Sequence, residues 1–511
     1  MTTGSVLVAG TTSDAGKSVL TAGICRWLAR QGFRVAPFKA QNMSNNSVVA
    51  PDGAEIGRAQ AMQAAACGVP AEAAMNPVLL KPGSDLTSQV VLLGRAVGDT
   101  AAGGYWRSGG GRNRLLGTVL DAYDDLRSRY DIVICEGAGS PAEINLRHGD
   151  LVNMGLARAR DLPVIVVGDI DRGGVFAALY GTLALLDPAD QALISGFVVN
   201  KFRGELALLK PGLDELSVRT GRPVLGVVSF LNRTWIDAED AVAAEGSYGP
   251  ADAGGSETCL QVAVIRLPRI SNFTDVDALA LEPGVAVRFV SSAAALEDAD
   301  LVILPGTKAT VADLAWLRAR RLDDALARRA AAGRPILGIC GGYQMLGTVI
   351  DDEVESRAGT VAGLGLLPAA TRFDRAKTLR RPAGYAGQVP VAGYEIHHGV
   401  VEVSAGRPWF TSAPSGDGAA ALDGCQAGAV SGTLWHGIFE NDEFRRSYLA
   451  ETARLAGRDF VPAAGTCFAA ARQAQFDALA DAIESSVDTA ALLRLIEHGP
   501  ARDLPVLRTG I

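Results

Sequence analysis

The sequence predicts an α/β protein with two doubly wound, mostly parallel-sheet domains and a helical C-terminal extension. Three observations lead to this prediction. Short apolar runs alternate with helical segments in the first half of the chain, the same alternation restarts after a Gly/Pro-rich stretch, and the chain from about residue 456 onward is amphipathic. Continuous Val and Ile runs such as 164–167 fit strands that are buried on both faces of a parallel sheet.

The first domain has six strand candidates, several of which are flanked by Gly, Pro or Asp. They are residues 5–9, 33–38, 131–135, 163–168, 194–199 and 223–228. Ligands of doubly wound folds bind at the carboxyl ends of the strands, so the residues directly after each strand are the first functional candidates.

The second domain follows a small, polar stretch from Gly246 to Ser256, whose Gly and Pro content is typical of a linker. Its strand candidates are residues 261–265, 285–290, 300–304 and 335–339. The helical pattern of the extension is clearest from Phe476 to Ile496. The predicted division of the chain is residues 1–245 and 259–455 for the two domains, 246–258 for the linker and 456–511 for the extension.

Composition argues against several classes of function. The formal net charge is −8 and the sequence pI is about 5.3, which argues against nonspecific binding to nucleic acid or to anionic membranes. Lys17 is the first basic residue, so we expect no secretory signal, and no apolar stretch approaches the ~20 residues of a membrane span. The seven cysteines are scattered without a C-x-x-C pair, which favours a reducing cytoplasm over disulfides or structural zinc.

A phosphate-binding loop is the main motif of the first domain. An apolar run leads to this loop, and a helical pattern from Val19 to Arg30 follows it. The layout predicts ATP binding, because the backbone N–H groups surround phosphate oxygens, Lys17 reaches the outer phosphates and Ser18 holds Mg²⁺. Five residues separate the two glycines of the motif instead of the usual four. The candidate ATP contacts are Gly10, Thr11, Thr12, Asp14, Ala15, Gly16, Lys17 and Ser18.

Polar residues after other strand candidates extend the predicted ATP site. Lys39 suits stabilisation of charge on a transferring phosphoryl group, although its Asn/Ser-rich surroundings also fit an ordinary loop. Glu136 ends a strand, where an acid suits Mg²⁺ coordination, and Asp52 or Glu55 would complete the metal ligands. Asn200 follows the fifth strand, where it either reads a nucleobase edge or caps a turn.

The second domain carries a candidate cysteine nucleophile. Cys340 lies between an apolar strand and a helical segment, and its small neighbours allow the sharp turn of a nucleophile elbow. The Gly341 N–H is a candidate oxyanion donor, and the loop that contains Gly306 offers a second one. The thiol requires a base, for which His436 later in the same domain is the candidate.

These motifs resemble known families. Gly338-x-Cys340-x-Gly342-x-Gln344 with the distant His436 resembles class I glutamine amidotransferase domains. The N-terminal loop with Glu136-Gly-Ala-Gly resembles dethiobiotin synthetase-like ATPases, and the two units in this order resemble the cobyrinate amidases. The combination of four further runs resembles the cobyric acid synthase family over roughly residues 4–450. These runs are residues 41–47, 168–174, 200–204 and 394–397.

The resemblance implies a glutamine-hydrolysing, ATP-dependent amidoligase of cobalamin biosynthesis, with ATP and Mg²⁺ as cofactors. Ammonia that Cys340 releases from glutamine would amidate the b, d, e and g carboxylates of adenosylcobyrinic acid a,c-diamide, activated as acyl phosphates, to cobyric acid. Gln344 is implied as a glutamine contact. The partners are the small molecules corrinoid, glutamine and ATP, the expected location is the cytoplasm, and a homo-oligomeric state is left open.

The resemblance leaves the orientation of the catalytic histidine unassigned. In many class I amidotransferases a Glu two residues after the His orients it, whereas Ile438 stands there and Glu440 follows two places later. Cobyrinate amidases lack this Glu in the usual place, so another group would orient His436. His397 and His398 are adjacent, but strand neighbours point to opposite sides, so we expect no shared metal site.

Three alternatives stay open. A sibling amidoligase, either cobyrinic acid a,c-diamide synthase or a cell-wall amidating relative, is disfavoured by the runs at 41–47 and 169–174. A P-loop switch ATPase of the partitioning type needs no glutaminase centre, so Cys340 with His436 argues against it. A catalytically inactive scaffold would have no glutaminase activity.

Overall fold

The structure of the chain, a computed structural model, describes residues 3–84, 86–101, 109–231, 235–237, 246–249, 259–412 and 421–507. Each half of the chain builds one main sheet that consists mostly of parallel strands. Leu7 and Val8 are successive residues of the first strand, so their side chains point to opposite faces of the sheet. They belong to different buried apolar clusters, which shows that both faces of that sheet are covered. The α/β class predicted from the sequence is therefore confirmed.

The strands of the first half include all six that were predicted. In chain order they are β1 (Gly4–Gly10), β2 (Val35–Phe38), β3 (Gln41–Met43), β4 (Ser47–Val49), β5 (Glu55–Gly57), β6 (Val78–Pro82), β7 (Thr87–Leu92), β8 (Arg95–Ala101), β9 (Ile132–Glu136), β10 (Val164–Asp169), β11 (Ile194–Phe202) and β12 (Val224–Ser229). The main sheet is parallel, in the order β12-β11-β10-β1-β9-β2. Since β1 lies between β10 and β9, the loop after it is flanked by the ends of both neighbours.

The helices of the first half pack on this sheet. They are α1 (Lys17–Arg30), α2 (Arg58–Cys67), α3 (Gly109–Arg129), α4 (Met154–Arg160), α5 (Val175–Ala184), α6 (Pro188–Gln191) and α7 (Leu206–Thr220). Between β2 and α3 the chain adds a smaller sheet, β3-β6-β7-β8, and the hairpin β4-β5. The sequence did not predict these short strands. Apolar residues of the hairpin β4-β5 share a buried cluster with Tyr394 and Ile396 of the second half.

The second half forms a seven-stranded main sheet in the order β13-β15-β14-β16-β17-β27-β26 and two smaller sheets, β19-β18-β20-β23 and β22-β21-β24-β25. Its strands are β13 (Gly246–Tyr248), β14 (Leu260–Ile265), β15 (Val285–Val290), β16 (Leu301–Leu304), β17 (Ile336–Ile339), β18 (Val349–Asp352), β19 (Gly359–Ala362), β20 (Ala369–Arg380), β21 (Ala383–Ala386), β22 (Val389–Ala392), β23 (Glu395–Val403), β24 (Phe410–Ser412), β25 (Leu422–Asp423), β26 (Cys425–Ala427) and β27 (Val430–Thr433). Its helices are α8 (Asp277–Leu281), α9 (Thr310–Ala319), α10 (Leu322–Ala331), α11 (Gly341–Leu346) and α12 (Asp442–Ala456).

Two details differ from the sequence prediction. Gly246–Tyr248, predicted as linker, is an edge strand of the second sheet and pairs antiparallel with β15; residues 250–258 of that linker lie outside the described residues. The helical pattern from Phe476 to Ile496 is two helices, α13 (Phe468–Ser486) and α14 (Thr489–His498). The break has a local cause, because the Asp488 carboxylate accepts the Ala491 N–H and caps the second helix.

The C-terminal helices return to the first domain. Phe476 and Leu479 of α13 pack with Ala22 of α1 in one buried cluster, and a Cβ on Gly23 would lie 2.9 Å from the carbonyl oxygen of Leu479. Ile496 of α14 joins the apolar cluster on one face of the first sheet. The extension is therefore part of the core of the N-terminal domain. Among the described residues, none of the helices combines the length and apolar character needed to cross a membrane.

Two candidate active sites

The phosphate-binding loop connects β1 to α1. Gly16 has a φ of +93°, a left-handed conformation that favours glycine, and a Cβ there would lie 2.1 Å from Asn200 Nδ2. Lys17 is buried, and its Nζ donates hydrogen bonds to the carbonyl oxygens of Thr12 at 2.8 Å and Gly139 at 3.2 Å. The loop therefore curls around the lysine, as expected where the outer phosphates of a nucleotide bind.

Four polar side chains meet at the end of β9. Glu136 Oε1 accepts hydrogen bonds from Ser18 Oγ and Lys39 Nζ, both at 2.8 Å, and Glu136 Oε2 accepts one from Gln63 Nε2. Burial raises the pKa of Glu136, but Lys39 and the hydrogen bonds outweigh burial and hold the pKa below its ordinary value. An ionised carboxylate beside a serine hydroxyl supplies the hard oxygen ligands that Mg²⁺ prefers, so this pair fits the ion. The sequence prediction missed Gln63.

The other two candidate magnesium ligands have different roles. The Asp52 carboxylate accepts the N–H of Ala54, in its own turn, at 3.0 Å and the N–H of Ala73, at the start of a 3₁₀ turn, at 3.1 Å. Glu55 is fully buried and forms ion pairs with Lys81 at 2.6 Å and Lys377 at 2.5 Å. These contacts argue against Asp52 and Glu55 as Mg²⁺ ligands, and their binding of the ion stays a prediction. Because Lys377 belongs to the second half of the chain, Glu55 faces the domain interface.

Asn200 lies beside the phosphate-binding loop. Its Nδ2 donates a hydrogen bond to the carbonyl oxygen of Ala15 at 2.9 Å, so it holds the loop in place; contact with a nucleobase stays a prediction. Its neighbour Lys201 donates to the carbonyl oxygen of Asp14 at 2.7 Å and to Asp169 Oδ2 at 2.8 Å. These contacts tie the ends of β10 and β11 to the loop.

Cys340 lies at the sharp turn between β17 and α11. Its φ is +50° and its ψ is −111°, a strained combination for a residue with a side chain. A Cβ on Gly342 would lie 1.8 Å from the carbonyl oxygen of Leu304, and one on Gly338 would lie 2.6 Å from the Leu346 side chain. The strain and the close packing of these glycines fit a nucleophile elbow.

Asp275 orients His436, and the sequence prediction missed it. Asp275 Oδ2 lies 2.7 Å from His436 Nδ1, and Asp275 Oδ1 accepts the Gly437 N–H at 2.8 Å. Asp275 belongs to a short 3₁₀ turn, Phe273–Val276, that follows β14. Burial lowers the pKa of His436, whereas Asp275 and the Cys340 thiol raise it, with a net increase to about 10. Asp275 therefore stabilises the protonated form of the imidazole.

The remaining candidate residues surround Cys340. A Cβ on Gly306 would lie 3.0 Å from His436 Cε1, so the backbone of this loop packs directly on the imidazole. Gly341 is the first residue of α11, and Gln344 lines the same cavity as the cysteine. The structure brings all three residues close to Cys340 or His436, and their contacts with an oxyanion and with glutamine stay predictions.

Comparison with known proteins identifies the family. Residues 6–240 match the model of the CobQ/CobB/MinD/ParA nucleotide binding domain, and residues 261–444 match that of the CobB/CobQ-like glutamine amidotransferase domain. The chain is 61% identical over 511 residues to the cobyric acid synthase of Streptomyces coelicolor and 60% identical over 528 residues to that of Frankia casuarinae. Each comparison covers 99% of both chains. The chain belongs to the cobyric acid synthase family.

Membership in the cobyric acid synthase family confirms the predicted enzyme class, a glutamine-hydrolysing, ATP-dependent amidoligase. The match to a nucleotide-binding domain supports ATP as the nucleotide. The full-length match to cobyric acid synthases also decides against the switch ATPase and the sibling amidoligases.

Two acids and two arginines join the domains of this cobyric acid synthase family member. Arg58 of α2 pairs with Asp237 at 3.0 Å and Glu440 at 3.2 Å, and Arg472 of α13 pairs with the same two acids at 2.7 and 3.1 Å. Glu440, the acid that follows His436 by four residues, therefore serves the interface, while Asp275 orients the histidine.

The adjacent histidines of β23 have different partners. His397 Nε2 lies 3.5 Å from Glu395 Oε1, whereas His398 Nδ1 lies 3.0 Å from the carbonyl oxygen of Asp374. His398 Nε2 also lies 3.3 Å from the side-chain amide of Gln89 in the first domain. The second histidine therefore contributes to the contact between the domains.

Proposed function

We propose that this enzyme amidates the b, d, e and g carboxylates of adenosylcobyrinic acid a,c-diamide to give cobyric acid, with ammonia from glutamine and activation by ATP. The observation that carries the proposal is the presence of two chemically different centres in one chain. One is the cluster around Glu136 beside the phosphate-binding loop, and the other is the Cys340–His436–Asp275 triad. The product is inferred from the name of the relatives reported above.

At the first centre ATP activates a substrate carboxylate, because ammonia does not displace hydroxide from a carboxylate at neutral pH. The γ-phosphoryl group moves to a carboxylate oxygen and ADP leaves, so the acyl carbon gains a phosphate leaving group. Lys17 and Lys39 stabilise the negative charge that develops on the moving group. Ser18 and Glu136 would hold Mg²⁺, which when bound neutralises charge on the phosphates.

At the second centre His436 takes the proton of the Cys340 thiol, and the resulting thiolate attacks the side-chain amide carbon of glutamine. The N–H groups of Gly341 and of the Gly306 loop stabilise the oxyanion. The protonated His436, which Asp275 stabilises, then gives this proton to the leaving nitrogen, so ammonia departs and a thioester remains. His436 then takes a proton from water, whose oxygen attacks the thioester and releases glutamate and the cysteine sulfur.

Ammonia then attacks the acyl phosphate, and inorganic phosphate leaves as the amide forms. The residues next to the triad support a sheltered transfer between the domains. Tyr394 stacks on His436 with ring centroids 5.2 Å apart, and Tyr394 lines an interdomain cavity together with Arg58 of α2. The same helix carries Gln63, which contacts Glu136 at the first centre. Helix α2 therefore connects the cavity beside His436 with the Glu136 cluster.

Mass spectrometry of the corrinoid tests the proposal directly. Purified enzyme is supplied with the a,c-diamide, ATP, Mg²⁺ and glutamine, and the products are followed with time. We expect successive one-unit mass decreases, as hydroxyl is replaced by amine, that end after four steps. An unchanged a,c-diamide would contradict the proposal. Cobyrinic acid is supplied in a parallel reaction, where a series that ends after two steps would instead identify an a,c-diamide synthase.

A further inference from the structure

The cavity that contains Cys340 is lined by both domains. Lys308 and Lys377 reach it from the amidotransferase half of the chain, and Lys81 reaches it from β6 of the first half. A residue of the amidoligase domain is therefore part of the cavity in which glutamine would react.

Glu55 joins two of these lysines. Glu55 Oε1 accepts a hydrogen bond from Lys81 Nζ at 2.6 Å, and Glu55 Oε2 accepts one from Lys377 Nζ at 2.5 Å. Lys81 Nζ also donates to Ser47 Oγ at 2.7 Å, and Lys377 Nζ to Gln89 Oε1 at 3.1 Å. All three charged side chains are less than one-tenth exposed. The cluster is thus a buried, cross-domain group of two ammoniums on one carboxylate.

The two lysines of the cluster have unused N–H donors, and their two positive charges exceed the single negative charge of Glu55. An ammonium carries three N–H groups, and the contacts above use two on Lys81 and two on Lys377, so one N–H of each is left. Lys308, the third lysine of the cavity, is already paired with Glu355. Burial lowers the pKa of Lys377 to about 8 although Glu55 raises it, so a further anion would favour the charged form of this lysine.

We propose that Lys81 and Lys377, held together by Glu55, bind the α-carboxylate of L-glutamine. The proposal rests on the glutaminase function proposed above and adds that the amidoligase domain builds part of the glutamine site. One carboxylate that accepts the remaining N–H of each lysine forms two charge-assisted hydrogen bonds. The same carboxylate balances the excess positive charge, which is costly to leave buried and unpaired.

The same geometry links glutamine binding to the other domain. Ser47 accepts a hydrogen bond from Lys81, and its backbone N–H donates to Asn272 Oδ1 at 2.9 Å, three residues before Asp275. The group that binds the substrate and the turn that orients His436 therefore share one contact across the interface. Because the two lysines belong to different domains, glutamine binds with its full affinity only when the domains are in contact.

The test compares two substrates that differ only in the α-carboxylate. Ammonia release is measured from L-glutamine and from 4-aminobutanamide, which keeps the amine and the reacting amide but has no α-carboxylate. For Lys81→Met and Lys377→Met we expect kcat/KM for glutamine to fall about 10–100-fold, mainly through KM, with little change for 4-aminobutanamide. Lys308→Met is the matched control, since its lysine lines the same cavity and should leave the preference for glutamine intact.

Two outcomes would overturn the proposal. Equal losses with both substrates would mean that the lysines only support the fold, and loss of the preference in Lys308→Met alone would place the carboxylate elsewhere. Lys81→Gln, which removes the charge but keeps a hydrogen-bond donor, gives the same comparison if the Met variants fail to fold. Wild-type enzyme that releases no ammonia from glutamine would contradict the glutaminase function itself, independently of the lysines.

Discussion

At the scale of single residues, Asp275 orients His436, the proposed base of the glutaminase centre. Its Oδ2 lies 2.7 Å from His436 Nδ1, which leaves Nε2 as the nitrogen for the proposed proton transfers. Its second oxygen accepts the Gly437 N–H, so the carboxylate also fixes the backbone beside the histidine. One buried acid therefore sets both the orientation and the charge of the base.

Replacing Asp275 by Asn should impair glutamine hydrolysis and spare the other reaction. The amide keeps the size of the side chain but removes its charge, so the histidine loses its preferred tautomer and its raised pKa. We expect glutamine-dependent turnover to fall by about 10²–10⁴-fold. Synthesis with high ammonium, which bypasses the triad, is the control and should be nearly normal. An equal loss with ammonium would mean that Asp275 supports the whole fold.

The raised pKa of His436 predicts that the contribution of Asp275 to the free energy of unfolding depends on pH. The pKa of His436 is raised to about 10, above an ordinary value of about 6.5, so its contribution to stability is complete below about pH 6.5 and is lost as the pH rises toward 10. The difference in free energy of unfolding between wild type and Asp275→Asn should therefore be largest near pH 6 and should shrink toward pH 10. Urea unfolding at both pH values measures it, and a difference independent of pH would contradict the assignment.

Glu136→Gln tests the metal site. The substitution keeps a polar side chain beside Ser18 but removes the negative charge that would bind Mg²⁺. We expect the Mg²⁺ concentration for half-maximal ammonium-dependent synthesis to rise roughly tenfold or more. Asp52→Asn is the matched control, because the Asp52 carboxylate caps a turn, and its metal titration should match that of wild type. An unchanged titration in Glu136→Gln would remove Glu136 from the metal site.

The sequence predicted the residues that stand in local patterns and missed those that depend on distant contacts. Cys340 follows a strand in a run of small residues, and Lys17 ends a glycine-rich loop, so both are visible in the chain itself. Asp275 lies 161 residues before His436, in a stretch that reads as an ordinary turn. Glu55 was predicted as a metal ligand because it follows the loop at 41–47, but its lysine partners come from distant strands.

At the scale of elements, α13 and α1 form the contact that completes the first domain. Leu479 and Phe476 pack where α1 presents the small residues Ala22 and Gly23, so the two helix backbones approach closely. Helix α1 begins at Lys17, directly after the phosphate-binding loop. The C-terminal extension therefore supports the helix that carries the ATP site.

Phe476→Ala should destabilise the first domain. Phe476 is fully buried, and truncation of such a side chain leaves a cavity that costs about 3–5 kcal/mol. We expect faster hydrogen exchange in α1 and a lower unfolding temperature, both measured on the full chain. Val461→Ala is the control, because this side chain is 83% exposed and should change neither. Unchanged exchange in α1 would contradict the proposed support.

The elements themselves were predictable to different degrees. All the predicted strands of both main sheets were found, because buried parallel strands give continuous apolar runs. The smaller sheets were missed, because strands such as β3 and β4 have three residues each and carry the polar side chains of the interface. The amphipathic pattern of the extension showed that one face is buried, but it could not show that the partner is α1.

At the scale of the whole molecule, two single-site variants should separate the two reactions. Cys340→Ala removes the nucleophile, so we expect it to abolish glutamine-dependent synthesis and to keep synthesis with high ammonium. Lys17→Ala should lose synthesis with either nitrogen source, because no acyl phosphate forms without charge stabilisation at the phosphates. Corrinoid amides are measured with each source. Equal loss in Cys340→Ala with both nitrogen sources would contradict the role of Cys340 in glutamine hydrolysis alone. Normal turnover in Lys17→Ala would contradict the role of Lys17 in phosphoryl transfer.

The position of the C-terminal helices has a consequence for how the protein is made. The first domain emerges from the ribosome before α13 and α14 have been synthesised. The face of α1 that packs on α13, and the sheet face that Ile496 later covers, therefore stay exposed to solvent while the second domain is synthesised. Domains usually fold in order during synthesis, but here the core of the first domain is completed only after the second domain has been synthesised. A chain that a stop codon ends before α13 would therefore expose apolar surface to proteases and would lack the contact that supports α1.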